Sequence, residues 1–449
     1  MATAAPPKEP LVAIMGTTGT GKSDLAVDLA IRFNGEIINA DAMQMYRGLP
    51  VITNQLSIEE QRGIPHHLLA SIDPRESTWS VDNFAHEASK LIREIRSRGK
   101  LPIVVGGTHY YIHALLFDNH LVGSEGPSDD RPEQRPPEDG PSQFPILDGP
   151  TKLMMKRLRE VDPIMANRWH PGDRRKIRRS LEIFLTTGRR ASDIYAEQKQ
   201  AKAISGLGKG PWQSLMFWVY TEPEVLKERL DKRVDKMAHN GLLPELRDLH
   251  KSRQLRTEQG EDVDLTRGIW QSIGYKQMET FLRAELNGTT LSDLERLKET
   301  GLTEMKFATR QYAKYQLRWI KHKSIPALKD HGALDYLFLL DSSNVDRFYG
   351  VLQRAGEICR NFLNGLHLVR PTELSGTARE VLTTFENQVT SSKARLKVIK
   401  TCEVCNMSLQ TEEQWEAHIK GRKHRRALQK GARKELMTRD PTLEETAIA

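Results

Sequence analysis

Short apolar runs alternate with segments of helical periodicity along the first 117 residues. Residues 11–15 and 101–105 are apolar runs that end in glycine-rich sequence, and residues 36–40 are a further short strand candidate. In residues 23–33 and 81–95, apolar side chains recur every three or four positions, the spacing of one face of a helix. Buried strands separated by helices predict an α/β fold with a parallel sheet and helices on both faces.

Residues 122–150 interrupt this pattern with Pro, Gly, Asp, Glu and Ser, a composition typical of a flexible excursion. A basic segment compatible with a helix follows, and sheet signals resume at residues 215–220. The spacing of Thr221 and Glu224 is that of a capping box, which predicts the start of a long helix. Residues 118–212 are therefore predicted to form a largely helical insertion.

Helical periodicity dominates residues 262–365, and a polar stretch then leads to a distinct C-terminal unit. The predicted organisation comprises an α/β core in two parts (10–117 and 213–370), the insertion (118–212), a linker (371–392), a small C-terminal domain with its basic flank (393–434) and a tail (435–449).

The sequence GTTGTGKS, between the first predicted strand and helix, matches the phosphate-loop pattern G-x-x-x-x-G-K-[ST]. Glycines let successive backbone N–H groups surround phosphate oxygens, and the helix N-terminus adds its dipole. The lysine can neutralise the anion and the serine hydroxyl can bind Mg²⁺. A glycine-rich turn without a ligand is the weaker alternative. The predicted phosphate-binding residues are Gly16, Thr17, Thr18, Gly19, Thr20, Gly21, Lys22 and Ser23.

An aspartate, Asp41, follows the second predicted strand in the sequence DAMQ. Ligands of open α/β sheets bind at the carboxyl ends of the strands, so Asp41 is placed to face the substrate. The strand at residues 101–105 runs into Gly-Gly-Thr, without the acidic residue that many nucleotide hydrolases use on the Mg²⁺ side. That feature argues against a kinase or ATPase. From position alone, a turn or N-cap role for Asp41 is equally open.

The composition is that of a basic globular protein. Lys and Arg number 67 against 59 acidic residues, a formal net charge of +8 that permits a polyanionic partner without requiring one. No apolar run approaches the roughly 20 residues that span a bilayer, and the N-terminus lacks the features of a secretory or transit peptide. We therefore expect no membrane contact and a reducing, cytoplasmic setting, with nuclear and mitochondrial pools left open.

Two cysteines and two histidines near the C-terminus have the spacing Cys-x2-Cys-x12-His-x5-His. Two thiolates and two imidazoles form a tetrahedral Zn²⁺ ligand set, and so short a unit cannot fold on hydrophobic burial alone. A redox role for the cysteines would leave both histidines unexplained. The sequence therefore predicts a structural zinc site at Cys402, Cys405, His418 and His424. Surrounding basic residues favour nucleic-acid contacts, with a protein-binding finger as the alternative. The remaining cysteine, Cys359, is expected to be a buried core thiol.

Seven phrases, in order, resemble the tRNA isopentenyltransferases (dimethylallyltransferases) in their eukaryotic, fungal form. They cover residues 11–320 and are GTTGTGKS (16–23), NADAMQMYRGLPVITN (39–54), VGGTHYY (105–111), HPGDRRKIRRSLEIF (170–184), RLDKRVDKM with NGLLPEL (229–246), IWQSIGYKQM (269–278) and ATRQYAKYQLRWI (308–320). The histidine spacing of the C-terminal motif resembles that of matrin or U1-type fingers. The family often has Arg at the position of Tyr315, so this residue receives no role.

The resemblance implies transfer of the dimethylallyl group from dimethylallyl diphosphate to the N6 amine of the adenosine immediately 3′ of the anticodon in tRNA. The phosphate loop would hold the diphosphate, with Ser23 on Mg²⁺. Asp41 would act as general base or hydrogen-bond acceptor, Thr108 would be a catalytic threonine, and Arg233 would support the departing pyrophosphate.

The resemblance also implies that the anticodon stem-loop of tRNA is the partner and that the enzyme is a monomer. The implied tRNA-contacting residues are Asp41, Ala42, Met43, Gln44, Arg175, Lys176, Ile177, Arg178, Arg179, Ser272, Ile273, Gly274, Tyr275 and Lys276. Without the resemblance, the basic run at 174–179 would be interpreted as a solvated helix face.

Two alternative functions remain. An adenylate isopentenyltransferase shares the phosphate loop but prenylates free nucleotides, and it would need neither the basic insertion nor the finger. An RNA-associated ATPase or adaptor would use the loop for ATP and the finger for RNA, but the DAMQ segment and the missing acid after residue 105 argue against it.

Overall fold

The structure is a computed structural model that describes residues 5–76, 78–117, 144–169, 171–204, 212–261, 263–265, 267–393, 400–402, 404–405, 407–409, 412–422 and 424–428. Internal contacts divide the chain into two units, the first formed by residues 1–119 and 207–387 and the second by residues 120–206 and 388–449. No helix in these described ranges is long and apolar enough to cross a membrane.

Six parallel strands form the centre of the first unit, in the spatial order β3-β2-β4-β1-β5-β6. They are β1 (Pro10–Gly16), β2 (Gly35–Asn39), β3 (His66–His67), β4 (Leu101–Val105), β5 (Gln213–Tyr220) and β6 (Leu337–Asp341). In the central strand, Ile14 lies opposite Val105 on one side and Phe217 on the other. The carboxyl ends of β1, β2, β4 and β5 therefore meet at one edge, where parallel sheets bind ligands.

The helices are α1 (Lys22–Arg32), α2 (Ile58–Gln61), α3 (Val81–Ser97), α4 (His109–Leu116), α5 (Thr151–Val161), α6 (Pro163–Arg168), α7 (Arg174–Thr187), α8 (Ala191–Ile204), α9 (Pro223–His239), α10 (Leu242–Glu258), α11 (Tyr275–Leu286), α12 (Leu291–Trp319), α13 (Ile325–Asp330), α14 (Phe348–Leu363), α15 (Gly376–Lys393) and α16 (Glu412–Ile419). Short 3₁₀ segments occur at Pro145–Leu147, Gly268–Gln271, Leu334–Tyr336 and Pro371–Glu373, and a π-helical segment at Ile320–Ser324 follows α12. Two short antiparallel strands, β7 (Lys400–Cys402) and β8 (Met407–Leu409), precede α16.

Successive side chains of the sheet point into two different cores. In β1, Leu11 and Ala13 belong to a core shared with α3 and α4, whereas Val12 and Ile14 belong to a core shared with α1 and α14. Cys359 of α14 is buried in the second of these cores, as predicted. Since both faces of the sheet are covered by helices, the predicted fold class is confirmed.

The insertion has its own hydrophobic core. Met154 and Leu158 of α5 pack with Ile177 and Leu181 of α7, and all four are essentially inaccessible to solvent. The buried Asp162 caps α6 by accepting a hydrogen bond from the Met165 N–H at 3.1 Å. Most of the predicted excursion lies outside the described residues.

Two local predictions were wrong. The helix α9 begins with Pro223 at its first position and has no side-chain cap, because the Thr221 hydroxyl instead pairs with the Ser342 hydroxyl at 2.8 Å. The stretch predicted as a linker contains most of α15. Ala378 and Leu382 of this helix are buried in the first unit, a small apolar stripe that the polar composition concealed.

Candidate active site and zinc site

The phosphate loop is fixed by close packing around its glycines. A Cβ atom at Gly16 would lie 2.4 Å from the Val219 carbonyl oxygen, and one at Gly19 would lie 2.8 Å from the Leu230 side chain. Gly21, which precedes α1, has a φ of 85° that other residues rarely adopt. The sequence therefore specifies the path of the loop before any ligand binds.

The lysine of this loop is nearly inaccessible to solvent. Lys22 donates a hydrogen bond to the Thr17 carbonyl oxygen at 2.6 Å. Burial lowers the pKa of Lys22 to about 8, an effect that Asp41 opposes and Arg233 reinforces. An ammonium group with so few partners is prepared to bind an anion.

Asp41 is held at the end of β2 by backbone contacts on both sides. Its N–H donates to the Asn39 side chain, and its carboxylate accepts from the Met43 N–H, both at 3.1 Å. Burial raises the pKa of Asp41 above the usual aspartate value, and the charges of Lys22 and Arg233 oppose that shift. The Asp41 carboxylate therefore interacts electrostatically with Lys22 of the phosphate loop.

The glycines after β4 allow the second and fourth strands to end side by side. A Cβ atom at Gly106 would lie 2.1 Å from the Ala40 backbone, and one at Gly107 would lie 3.0 Å from the Asp41 carboxylate. The Thr108 hydroxyl accepts a hydrogen bond from the Ala42 N–H at 3.0 Å. Thr108 thus fixes the segment that carries Asp41.

Arg233 reaches the phosphate loop from α9. Its guanidinium donates to the Thr18 hydroxyl at 2.6 Å. Its Nε atom is buried and has no hydrogen-bond partner among the described residues. An unsatisfied buried donor beside an anion-binding loop is available to a ligand. Arg229, one turn earlier, instead donates to the backbone carbonyl of Ser342 at 2.6 Å.

Gln316 of α12 is a site residue that the sequence did not reveal. It is 1% exposed, its Oε1 accepts from the Thr18 N–H at 2.8 Å, and its Nε2 donates to the Gly107 carbonyl at 3.0 Å. One buried amide therefore joins the phosphate loop to the loop after β4. These hydrogen bonds span about 200 to 300 residues of sequence, so no local pattern could have indicated them.

His109 is a second residue that sequence reasoning missed. Its ring is buried and hydrogen-bonds the Gly16 backbone, while its Nε2 atom has no partner in the described structure. Burial, and then the nearby Lys22, lower the pKa of His109 to about 3. The imidazole is therefore neutral and adds no charge to the site.

The predicted tRNA-contacting residues differ in exposure. Gln44 is half-buried and donates to the Asn54 carbonyl at 3.0 Å. On α7, the side chains of Arg175, Lys176 and Arg179 are exposed, whereas Ile177 is fully buried within the insertion.

The second segment predicted to contact tRNA, residues 272–276, also contains both exposed and buried side chains. Lys276 is exposed, whereas Ser272 and Tyr275 are buried. The Tyr275 hydroxyl forms a hydrogen bond with His250 Nδ1 at 2.9 Å. Ile273 is half-buried, and Gly274, with a φ of 138°, packs against Ile52.

The four predicted zinc ligands converge. Their ligand atoms all lie within 4.8 Å of one another. The Nδ1 atom of His424 is 3.5 Å from the Cys402 sulfur and 3.4 Å from the Cys405 sulfur. Ligands of tetrahedral zinc, with bonds of about 2.0–2.3 Å, lie roughly 3.5 Å apart. The Nε2 atom of His418 is buried without a partner in the described finger, so the donor set fits Zn²⁺.

Comparisons with known proteins agree with this geometry. Residues 44–323 match the family described as IPP transferase, and residues 400–424 match a zinc finger of C2H2 type. A tRNA dimethylallyltransferase of Schizosaccharomyces pombe is 37% identical over 93% of this chain and 94% of its own. The human tRNA dimethylallyltransferase is 36% identical over 94% of this chain and 87% of its own. A crystal structure of a eukaryotic dimethylallyltransferase acting on tRNA matches with a TM-score of 0.77 and 32% identity, over 96% of this chain and 99% of that one.

Proposed function

The chain belongs to the IPP transferase family, and we propose that it transfers the dimethylallyl group from dimethylallyl diphosphate to the N6 amine of the adenosine immediately 3′ of the anticodon in tRNA. The products are N6-isopentenyladenosine and pyrophosphate. The observation that carries the proposal is a half-buried carboxylate, Asp41, that follows β2 and interacts electrostatically with Lys22 of a phosphate loop at the carboxyl ends of the strands.

The residue types suit this reaction. The N6 amine is a weak nucleophile because its lone pair is delocalised into the purine ring. As the amine attacks C1 of the dimethylallyl group, the C1–oxygen bond breaks and the amine proton passes to Asp41. A positioned base of this kind typically contributes about 10²- to 10⁴-fold. We assign Thr108 the support of the Asp41 segment, because its hydroxyl accepts the Ala42 N–H.

Negative charge develops on the departing pyrophosphate. Lys22, which is buried, and Arg233, whose Nε atom is buried, are the cations placed to stabilise it. Charges in a water-poor site are most effective when they are positioned before the reaction. The backbone N–H groups of residues 16–23 complete the anion site. Ser23, the second residue of α1, has a hydroxyl suited to hold Mg²⁺. Mg²⁺ held there would neutralise part of the diphosphate charge.

We further propose that tRNA binds through its anticodon stem-loop and that the target adenine is extruded from the loop. Extrusion costs a few kcal/mol, which contacts to neighbouring nucleotides must offset. The exposed Arg175, Lys176 and Arg179 of α7 support phosphate contacts. For the finger we propose bound Zn²⁺ and contacts to tRNA. Cytoplasmic location and a monomeric state stay predictions.

Incubating the purified full chain with Mg²⁺, dimethylallyl diphosphate and tRNA, without ATP, tests the proposal. Mass spectrometry of the digested tRNA should show N6-isopentenyladenosine, and tRNA with guanosine at the target position should remain unmodified. Prenylation of free AMP in preference to tRNA would favour an adenylate isopentenyltransferase. RNA-stimulated ATP hydrolysis without any prenylated nucleoside would refute prenyl transfer altogether.

A further inference from the structure

The C-terminal part of α12 and the segment after it carry cations without neighbouring acids in sequence. Residues 306–329 contain seven lysines and arginines and no aspartate or glutamate. Lys306 and Arg310 pair with acidic residues of α9. Lys314 and Arg318, further along the helix, are exposed and form no ion pair with any described residue. These two cations are therefore available to an anionic partner.

An aromatic cluster of two exposed tyrosines around a half-buried tryptophan lies beside these cations. Tyr315 and Trp319 are one turn apart on α12, with ring centroids separated by 6.4 Å. Trp319 in turn meets Tyr110 of α4 edge-on, with centroids separated by 5.5 Å. Tyr315 is 56% exposed and Tyr110 is 41% exposed. Exposed aromatic rings are the side chains on which the bases of single-stranded nucleic acids stack.

The aromatic cluster is connected to the candidate active site. Gln316, the neighbour of Tyr315, holds Thr18 and Gly107 together. Tyr110 follows Thr108 by two residues. Tyr312, one turn before Gln316, has its pKa raised by burial and by the charge of Asp41. The cluster is therefore carried by α4 and α12, the same two helices that contribute Gln316 and the cap residue Thr108 to the candidate site.

We propose that Tyr110, Tyr315 and Trp319 form a stacking platform for an unpaired nucleobase next to the target adenosine. This inference rests on the proposed function. Extruding the adenine removes the stacking partner of its neighbours, and exposed Tyr and Trp rings can replace that partner. Lys314 and Arg318 on the same helix contact the adjoining phosphates. Tyr315, to which the sequence assigned no role, is thereby assigned an RNA contact that does not depend on the identity of the base.

The test compares Tyr315→Ala and Tyr110→Ala with Tyr315→Phe, which keeps the ring. Tyr336→Ala is the matched control, because Tyr336 is 42% exposed and also packs edge-on against another aromatic ring. It directly precedes the amino end of β6, whereas the candidate site lies at the carboxyl ends of the strands. Loss of one base stack should raise the KM for tRNA about 5- to 150-fold, with kcat changed less than about twofold. Tyr315→Phe and Tyr336→Ala should have the KM and kcat of the wild-type enzyme.

Stacking itself is measured with two anticodon stem-loop RNAs that carry 2-aminopurine on either side of the target adenosine. The unmodified protein should quench the fluorescence of at least one of them, and Tyr315→Ala should lose that quenching. If Tyr315→Ala and Tyr110→Ala retain the KM and the quenching of an active wild-type enzyme, the platform is refuted while the proposed function stands. Failure of the wild-type enzyme to prenylate tRNA would instead count against the function.

Discussion

The phosphate loop and the zinc-finger ligands are held in place by different interactions. The loop follows β1, in which the side chains of residues 11–15 are buried in cores on both faces of the sheet. In the described part of the finger, only Cys402 and His424 are buried, and both belong to the metal-ligand set. A protein core therefore shapes the first site, whereas metal coordination must supply the folding energy of the second. Replacement of one functional side chain at the phosphate-loop site should therefore leave the fold intact, whereas replacement of one zinc ligand should unfold the finger.

Replacement of the proposed base gives the largest expected effect. Asp41→Asn keeps the size of the side chain but removes the proton acceptor, so kcat should fall about 10²- to 10⁴-fold. The melting temperature and the Kd for tRNA should stay close to those of the wild type. Single-turnover assays with saturating tRNA, paired with filter binding, separate the two quantities. A variant with wild-type kcat would remove Asp41 from the chemistry.

The next effect tests whether buried polar contacts hold the phosphate loop. Gln316→Leu leaves the Thr18 N–H and the Gly107 carbonyl without their partner. Each unsatisfied buried group costs about 1–3 kcal/mol, so the loss of both partners should lower the free energy of unfolding by about 2–6 kcal/mol. The control is Gln311→Leu, an exposed position on the same helix that should change it by less than about 0.5 kcal/mol. Equal denaturant midpoints for the two variants would show that Gln316 is not required.

The sequence predicted both regions for the same reason, because each is encoded by a local motif. The phosphate loop and the finger are contiguous motifs with fixed spacing, and the apolar runs gave β1 and β4 nearly residue for residue. Gln316 and His109 escaped detection because their partners are distant in sequence or are backbone groups. The capping box failed because Thr221 found a tertiary partner in Ser342. Local patterns thus predict elements, whereas long-range polar contacts require the fold.

Removal of one zinc ligand tests the other side of the comparison. Cys402→Ala should unfold the finger but leave kcat at saturating tRNA unchanged, since the proposed reacting groups belong to the other unit. The KM for tRNA should rise, and the dependence of log affinity on log salt should flatten by about 0.7–0.9 for each tRNA phosphate that the finger no longer binds. Cys359→Ala, at a core cysteine, is the control for removal of a thiol. An unchanged KM and salt slope would mean that the finger binds something other than tRNA.

The smallest effect is a pH dependence confined to the phosphate site. Lys22 must be protonated to bind diphosphate, and its pKa is lowered to about 8, so kcat/KM for dimethylallyl diphosphate should fall to about half its plateau there. A bound diphosphate raises the pKa of Lys22, which should move the alkaline limb of kcat to higher pH.

On the acidic side, activity is lost as Asp41 becomes protonated, at a pH above the usual aspartate range because burial raises the pKa of Asp41. Asp41→Asn removes the carboxylate that favours the ammonium, so the alkaline limb of its residual activity should move to lower pH. Cys402→Ala should leave both limbs in place. If that variant shifted the profile, the finger would be coupled to the phosphate site, and the two regions would not be independent.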